Sequence, residues 1–401
     1  MKRCLTFLLL FLTVAAAAQD RHFIKGTYVP EGGFCYDENK VPEYTLPDVL
    51  TASDGRKIKN ARQWERIRRP ELMRMFESEM YGSVPERPGG LHWRTVSEGP
   101  ALDGAALRRE VDIFFDEAET EHLRLLLLLP GGRKGRVPVF LGINFFGNHT
   151  ICDDPGISLP DTLRWRPDYS LPARGSQAHR WPVSVILQRG YAVATFCCED
   201  VAWDHPYTVD SGIYRLYPNE TMGALAAWGW GLSRALDYLQ TDPDVDGARV
   251  AVFGHSRMGK AALWAAARDR RFAMMISNAS GCGGAAISRR RFGETLRRIN
   301  THFPWWYCLK FHTYNDKEDE LPFDQHELLA LIAPRPLYVE SGTEDLWSDP
   351  HGEELGLQNA LPVYRLYGAE KRTGRHVRPG KHEILLYDWE RYLDFADRWL
   401  R

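Results

Sequence analysis

The chain has 401 residues, of which 44% are hydrophobic and 26% are charged, and its formal net charge at pH 7 is −2. With this near balance of charge, the chain lacks the excess of positive charge that would attract nucleic acid or an anionic membrane surface. The length allows two average domains, but the order of the predicted elements favours one α/β catalytic domain, residues 19–401, that carries an N-terminal extension.

The N-terminus has the pattern of a secretory signal peptide over residues 1–18. A basic start at residues 1–3 precedes an apolar run from Leu5 to Val14 and an alanine-rich cleavage site that ends at Ala18. The run is too short to span a bilayer, which needs roughly 20 apolar residues. We therefore expect an exported protein, periplasmic or secreted, without a membrane attachment after cleavage. A monomer is also expected.

Residues 19–105 are predicted to form an extension that wraps around the core. A helix is predicted from Ala61 to Met80, after a stretch rich in proline, glycine and charge. Beyond the extension, four apolar runs bounded by turn residues predict the first strands of a sheet. These runs are Leu107–Phe115, His122–Leu129, Val137–Phe146 and Tyr191–Phe196. The long polar stretch Asn148–Pro182 is predicted to be an insertion over the carboxyl edge of the sheet.

The second half of the chain alternates strands with helices, which is typical of a mostly parallel sheet covered by helices on both faces. Helices are predicted at Thr221–Leu239, Ala261–Arg268 and Tyr387–Leu400. Strands are predicted at Arg249–Phe253, Phe272–Ser277, Pro336–Glu340 and Pro362–Tyr367. The predicted fold class is therefore α/β, with the three layers of an αβα sandwich.

Residues 254–260, GHSRMGK, join a predicted strand to a predicted helix through a glycine-bounded turn. A single serine in such a turn indicates the nucleophile elbow of an α/β-hydrolase, which lifts the Ser256 hydroxyl out of the sheet. The turn also points backbone N–H groups at the place where an oxyanion develops. Two details are unusual, because Arg257 follows the serine and Met258 delays the second glycine by one position.

A serine hydroxyl needs a base to take its proton, and α/β-hydrolases supply a carboxylate and then a histidine later in the chain. Asp345 follows the strand that ends at Glu340 in a Gly-x-x-Asp turn, and Glu344 beside it is the competitor. His382 is the predicted base because it stands behind a glycine turn and before the closing helix. His376 is left as a structural or substrate-contacting residue.

Three charged or titratable neighbours of the serine allow more than one interpretation. Arg257 either adds a positive charge to the oxyanion site or pairs with a nearby carboxylate. Lys260, one turn into the helix, is either a surface residue or a hydrogen-bond donor to substrate hydroxyls. His255 is expected to point away from the site.

These residues resemble the glucuronoyl esterases, a carbohydrate esterase family with the α/β-hydrolase fold, in its bacterial form. The resemblance runs from Gly254 to His382, and the first hundred residues add little to it. Its motifs are GHSRMGK at 254–260, NASGCGGAA at 278–286 with the stretch 289–300, LPFDQH at 321–326 with IAPRP at 332–336, EDLW at 344–347 and RPGKH at 378–382.

The resemblance implies a serine carboxylic-ester hydrolase that cleaves the ester between a glucuronic acid of xylan, usually 4-O-methylated, and a lignin alcohol. It implies that Ser256 is the nucleophile, that His382 is the base and that Arg257 stabilises the oxyanion. The residues that it implies as contacts to the sugar are Lys260, Glu294 and Trp347. Without the resemblance, Glu294 in the sequence FGET would be interpreted as an exposed helix carboxylate.

One departure from the family bears on the triad. Some members carry the acid as a glutamate at the position of Ala279, and an alanine cannot orient a histidine. The acid must then come from the later loop, where Asp345 is the matching position. His302 stands where fungal members carry a sugar-contacting carboxylate, so that role is not transferred.

Six cysteines remain after the predicted cleavage, an even number that permits disulfides in an exported protein. Cys282 and Cys308 flank the segment that would contact the sugar, and they are a candidate pair. No cysteine or histidine spacing has the pattern of a metal site, so neither a metal nor another cofactor is expected.

Two other functions stay open at the level of sequence. One is a different secreted carbohydrate esterase, such as an acetyl xylan esterase, in which the sugar would be the leaving group and Lys260 and Trp347 would have no clear task. The other is a catalytically inactive carbohydrate-binding homologue of the hydrolases. The complete set of serine, acid and histidine argues against this second alternative.

Overall fold

The computed structural model describes residues 34–161, 164–166 and 168–401. The signal peptide predicted over residues 1–18 lies outside the described residues, as does the first part of the extension. In the described part of the chain, no helix has the length and apolarity needed to cross a membrane.

The described residues form one nine-stranded sheet with the order β1-β2-β3-β5-β4-β6-β7-β8-β9. The strands are β1 His92–Ala101, β2 Ala106–Phe114, β3 His122–Pro130, β4 Val137–Asn144, β5 Ala192–Cys197, β6 Val245–His255, β7 Met274–Asn278, β8 Leu337–Gly342 and β9 Thr373–Arg378. Strands β1 to β3 run antiparallel to their neighbours, and β5, β4, β6, β7, β8 and β9 are parallel to one another. The prediction of a mostly parallel sheet is confirmed.

Helices cover both faces of the sheet. They are α1 Ala61–Gln63, α2 Arg69–Phe76, α3 Val183–Gln188, α4 Gly212–Leu216, α5 Ala224–Leu239, α6 Arg257–Arg268, α7 Leu296–His302, α8 Gln325–Ala330, α9 Pro350–Leu366 and α10 Leu386–Trp399. Alternate side chains of each central strand enter different cores, since Leu125 and Leu127 pack on the side of α5 and α6, and Leu126 and Leu128 on the side of α3 and α10. The three layers of the predicted αβα sandwich are therefore confirmed, and the fold is that of an α/β-hydrolase.

The extension is packed into the molecule. Two π-helical turns join α1 and α2 to residue 81 in one helical stretch, which buries Trp64, Phe76 and Tyr81 in the larger core. The buried Arg68 pairs with Glu327 of α8 at 2.5 Å. Strand β1, inside the stretch expected to wrap the core, is instead hydrogen-bonded along β2 as an edge strand.

The end of the sheet differs from the prediction in two places. Pro362–Tyr367 was expected to be a strand but belongs mostly to the end of α9, which contains Pro362. The last strand is β9, which was not predicted and which contains His376. Its sequence, TGRHVR, is polar and only partly buried because the strand lies at the edge of the sheet, so no apolar run marks it.

The candidate disulfide is not formed. Cys282 and Cys308 are both buried, and all six cysteines of the described residues are free thiols. The buried Cys282 therefore behaves as a small apolar residue of the core, and burial raises the pKa of its thiol.

Candidate active site

Ser256 occupies the turn between β6 and α6 with a strained backbone. Its φ of 59° and ψ of −129° lie in a region that non-glycine residues seldom adopt. Its N–H donates to the carbonyl of Asn278, the last residue of the neighbouring strand β7, at 2.9 Å. This bond holds the turn against the carboxyl edge of the sheet, and the helix that starts at Arg257 directs its unpaired N–H groups to the same place.

Steric contacts explain why the turn around Ser256 has glycines at 254 and 259. A Cβ at Gly254 would collide with the carbonyl of Met258, and a Cβ at Gly259 would lie 2.9 Å from the carbonyl of Gly254. The strand end and the first turn of the helix thus touch through these two glycines. Met258 fills the extra position with a buried side chain that lines the cavity beside the serine.

Ser256 opens into a cavity of about 430 Å³ at the carboxyl edge of the sheet. This volume is in the range of small-molecule sites in proteins. Six of the seven predicted site residues line the cavity. They are Ser256, Arg257, Lys260, Glu294, Trp347 and His382. The seventh, Asp345, is buried directly behind His382.

The His382 ring is bound to Asp345, with 2.6 Å between Nδ1 and the carboxylate. Burial alone would raise the pKa of Asp345, but hydrogen bonds from His382 and Ser348 and the charge of His382 lower it below its ordinary value. An ionised carboxylate only accepts, so Nδ1 carries the proton and Nε2 is left as the basic nitrogen. The Ser256 hydroxyl and the His382 ring line the same cavity.

The two competitors for these positions lie elsewhere. Glu344 is exposed, and its N–H donates to the carbonyl of Gly380 at 2.9 Å. His376 is hydrogen-bonded to Asp388 at 2.8 Å and to the hydroxyl of Tyr338 at 3.1 Å, and it is not among the residues that line the cavity. The structure therefore brings Asp345, and not Glu344, to His382.

His255 faces the site, so the expectation that it points away was wrong. Its ring lies 4.6 Å from the His382 ring, and its Nδ1 is 2.5 Å from the side-chain oxygen of Asn278. Asn278 donates in turn to the hydroxyl of Tyr392 at 2.7 Å. Loss of solvent, followed by the charge of His382, lowers the pKa of His255 to about 3, so this ring stays neutral beside the His382 ring.

Arg257 is paired and at the same time faces the cavity. Its guanidinium forms an ion pair with the buried carboxylate of Asp204 and lies over the rings of Phe145, Phe303 and Trp306 at 5.0, 5.1 and 4.7 Å. Cation–π contact and a fixed carboxylate hold the charge next to the serine. The interpretation that Arg257 pairs with a nearby carboxylate is confirmed, and the role at an oxyanion stays a prediction.

Lys260 and Glu294 are both buried, which excludes a surface role for either. The Lys260 ammonium donates to the carbonyl of Ser280 at 2.6 Å and lies 3.6 Å from the Glu294 carboxylate. Burial raises the pKa of Glu294 even though the neighbouring Lys260 charge opposes the shift. The pair presents a donor and an acceptor to the same end of the cavity.

Trp347 completes that end of the cavity with an aromatic face. Its ring is in edge contact with Phe34 at 4.7 Å, and the guanidinium of Arg298 lies 5.5 Å from it. Several cavity residues were not identified from the sequence. They are Arg298, Phe303, Trp306, Gln177, Arg180 and Trp181. Arg298 lies inside the 289–300 motif, which is the signal in the sequence that marks it.

One group of side chains has the composition of a metal site. Glu340, His376 and Asp388 offer ligand atoms within 4.8 Å of one another. The Arg378 guanidinium lies 3.4 Å from Glu340 and 3.0 Å from Asp388, so a cation of the chain itself already occupies this group. We therefore interpret the group as a structural polar cluster around Arg378.

Comparison with known proteins places the chain among esterases. A family model described as "Glucuronyl esterase, fungi" matches residues 172–368. The chain is similar to Carbohydrate esterase MZ0003 of an unknown prokaryotic organism, with 47% identity over 402 residues that cover 92% of this chain and 93% of that protein. It is similar to the solved glucuronoyl esterase from Solibacter usitatus, with 44% identity, a TM-score of 0.85 and coverage of 90% and 99% of the two chains.

A more distant relative is fungal. The 4-O-methyl-glucuronoyl methylesterase 1 of Wolfiporia cocos is 31% identical over 256 residues, which cover 59% of this chain and 62% of that protein.

Proposed function

This chain belongs to the glucuronoyl esterase family and is a carboxylic ester hydrolase, and we propose that Ser256, His382 and Asp345 form its catalytic triad. The observation that carries the proposal is the 2.6 Å bond between His382 and Asp345, at the wall of the cavity into which Ser256 opens. The chain order of serine, acid and histidine is that of the α/β-hydrolases.

The proposed substrate is an ester of a glucuronic acid carboxyl, with the sugar as the acyl part. The names of the relatives support this choice, because they are glucuronoyl esterases and a 4-O-methyl-glucuronoyl methylesterase. We propose that Lys260 and Glu294 hydrogen-bond the ring hydroxyls and that Trp347 covers one face of the ring. In plant biomass, the matching bond joins the glucuronate of xylan to a lignin alcohol.

In the first step, the Ser256 Oγ attacks the carbonyl carbon while its proton passes to Nε2 of His382. The carbonyl electrons move to oxygen, and this oxyanion is stabilised by the Arg257 charge and by N–H groups at the start of α6. Asp345 keeps Nδ1 protonated and stabilises the imidazolium. When the oxyanion collapses, the bond to the alcohol oxygen breaks and His382 gives its proton to that oxygen.

In the second step, water replaces the alcohol. His382 takes a proton from the water as its oxygen attacks the glucuronoyl-serine carbonyl, and the second oxyanion occupies the same site. Collapse releases the glucuronic acid and returns the proton to Ser256. The neutral His255 beside the base does not repel the imidazolium that forms in both steps.

The location of this activity is proposed to be outside the cytoplasm. The pattern at residues 1–18 supports export, since a basic start, an apolar run and an alanine-rich cleavage site occur in sequence. Sequencing the N-terminus of the protein recovered from an expressing culture tests this proposal. A mature chain that begins near Gln19 is expected, and a chain that retains Met1 in the exported fraction would contradict it.

The catalytic proposal is tested by comparing benzyl glucuronate with 4-nitrophenyl acetate. We expect efficient turnover of the glucuronate ester, its loss in S256A, and wild-type turnover in S78A, which removes an exposed serine. A fluorophosphonate should label the wild type and not S256A. Turnover of the acetate alone would indicate an acetyl esterase instead, and an S256A variant with full activity would refute the triad.

A further inference from the structure

Arg378 has an unusual position relative to the catalytic histidine. It is the last residue of β9, four residues before His382, and its side chain is only 3% exposed. One of its terminal nitrogens donates to the carbonyls of Lys381 at 2.7 Å and Glu383 at 2.5 Å. These two carbonyls belong to the residues on either side of His382.

The same guanidinium is fixed from behind. Its Nε donates to Asp388 at 3.0 Å, and that carboxylate also accepts the N–H of Leu385 at 2.7 Å, next to the start of α10. The backbone carbonyl of Arg378 accepts the N–H of Thr343 at 2.9 Å, from the loop that carries the triad acid. Arg378 therefore bonds to the histidine loop, to the last helix and to the acid loop.

The histidine loop needs such a support. Residues 379–385 lie outside regular secondary structure, and the His382 side chain is 37% exposed, so packing alone constrains it weakly. Buried carbonyls in a loop require donors, and a guanidinium supplies several in a fixed plane. A displacement of about 1 Å at a catalytic group lowers the rate by about 100-fold.

We propose that Arg378 is a positioning residue that sets the place of His382 through the carbonyls on either side of it. The inference rests on the proposed function, in which His382 serves as base and as acid. Arg378 itself does not touch the substrate, because it is buried below the loop and does not line the cavity. Its effect is therefore expected on the proton transfers of His382 and not on sugar binding.

The consequence differs between leaving groups. A benzyl alkoxide must receive a proton from His382 as it departs, whereas a 4-nitrophenolate departs without one. A displaced His382 thus loses its role as base on both esters and its role as acid only on the benzyl ester. A loss of folded enzyme would instead reduce both rates by the same factor.

The test compares kcat/KM for the benzyl and 4-nitrophenyl esters of glucuronic acid in the wild type and in R378K, which keeps the charge but loses the planar set of donors. Active sites are counted with a fluorophosphonate. We expect a fall of about 100-fold on the benzyl ester and about 10-fold on the 4-nitrophenyl ester, with KM changed less than about twofold. Equal losses on both esters would overturn the inference.

The matched control is R375K on the same strand, since Arg375 donates to the carbonyl of Pro350 and not to the histidine loop. We expect it to keep the wild-type ratio between the two esters. If R378K does not accumulate as folded protein, D388N is measured instead, because it weakens the bond that fixes the guanidinium, and it should show the same preferential loss. A wild type that hydrolyses neither ester would refute the proposed function, whereas an active wild type with equal losses in the variants would refute only the role of Arg378.

Discussion

Asp204 forms an ion pair with Arg257, while its other oxygen accepts the indole N–H groups of Trp305 at 2.8 Å and Trp306 at 2.7 Å. The Asp204 carboxylate is almost fully buried, whereas 29% of the Arg257 side chain is accessible. Asp204 thus fixes the orientation of the Arg257 guanidinium, and the accessible part of this side chain faces the cavity. Because Asp204 can be changed separately, the proposed catalytic role of Arg257 can be measured apart from its contribution to stability.

Replacing Arg257 by Met should lower kcat by about 100- to 1,000-fold, because the charge next to the oxyanion is lost. The variant should also lose roughly 1–3 kcal/mol of stability, since the buried Asp204 carboxylate keeps its two indole donors but loses the partner of its other oxygen. The double variant R257M/D204N should regain most of this stability, measured by urea denaturation, but none of the activity. Recovery of kcat in the double variant would show that Arg257 acts only through folding.

The D345N variant tests the triad acid. An asparagine keeps the size of the side chain but cannot stabilise the imidazolium or enforce the tautomer with the proton on Nδ1, so kcat on benzyl glucuronate should fall by about 10,000-fold. The matched control is E344Q, because Glu344 is exposed and its contact to Gly380 is made by its backbone. A larger loss in E344Q than in D345N would reverse the assignment.

The sequence predicted the parts of this fold and site that depend on local patterns. The elbow around Ser256 is visible because glycines, a strand and a helix surround it within a few residues, and the strands β2 to β8 are marked by apolar runs. Strand β9 was missed because an edge strand carries polar residues that no periodicity marks.

The remaining features depend on distant parts of the chain. Asp204 is 53 residues away from Arg257, and no spacing rule connects them. The orientation of His255 is set by Asn278 on the neighbouring strand, 23 residues later. The family resemblance identified Lys260 and Glu294, but their burial as a pair became apparent only from packing.

The K260M variant tests the proposal that the sugar binds at the end of the cavity formed by Lys260 and Glu294. It removes the ammonium that lies 3.6 Å from Glu294, and a hydrogen bond to a charged group contributes about 1.5–3 kcal/mol. We therefore expect kcat/KM on benzyl glucuronate to fall by about 10- to 100-fold. The matched control is K310M, because Lys310 is exposed and does not line the cavity. An unchanged kcat/KM in K260M would mean that the sugar binds elsewhere.

The buried Glu340 should make stability depend on pH in a defined direction. Burial raises the pKa of Glu340 to about 9, and the charges of Asp388, Glu353 and Asp345 add to the shift. The Arg378 charge opposes it. The other titratable group nearby is His376. Below its ordinary pKa, the carboxyl is protonated in both the folded and the unfolded state. Between that value and about 9, only the unfolded state ionises, so the free energy of unfolding falls as pH rises.

E340Q removes this titration and should therefore gain stability over the wild type by up to about 1.4 kcal/mol for each pH unit above the ordinary glutamate pKa. Urea denaturation at pH 5 and pH 8 measures the difference, which should be small at pH 5 and clearly in favour of E340Q at pH 8. E390Q, which changes an exposed glutamate of α10, should show no such divergence. A wild type that gains stability relative to E340Q as pH rises would mean that Glu340 is ionised in the folded protein and that Arg378 balances two negative charges.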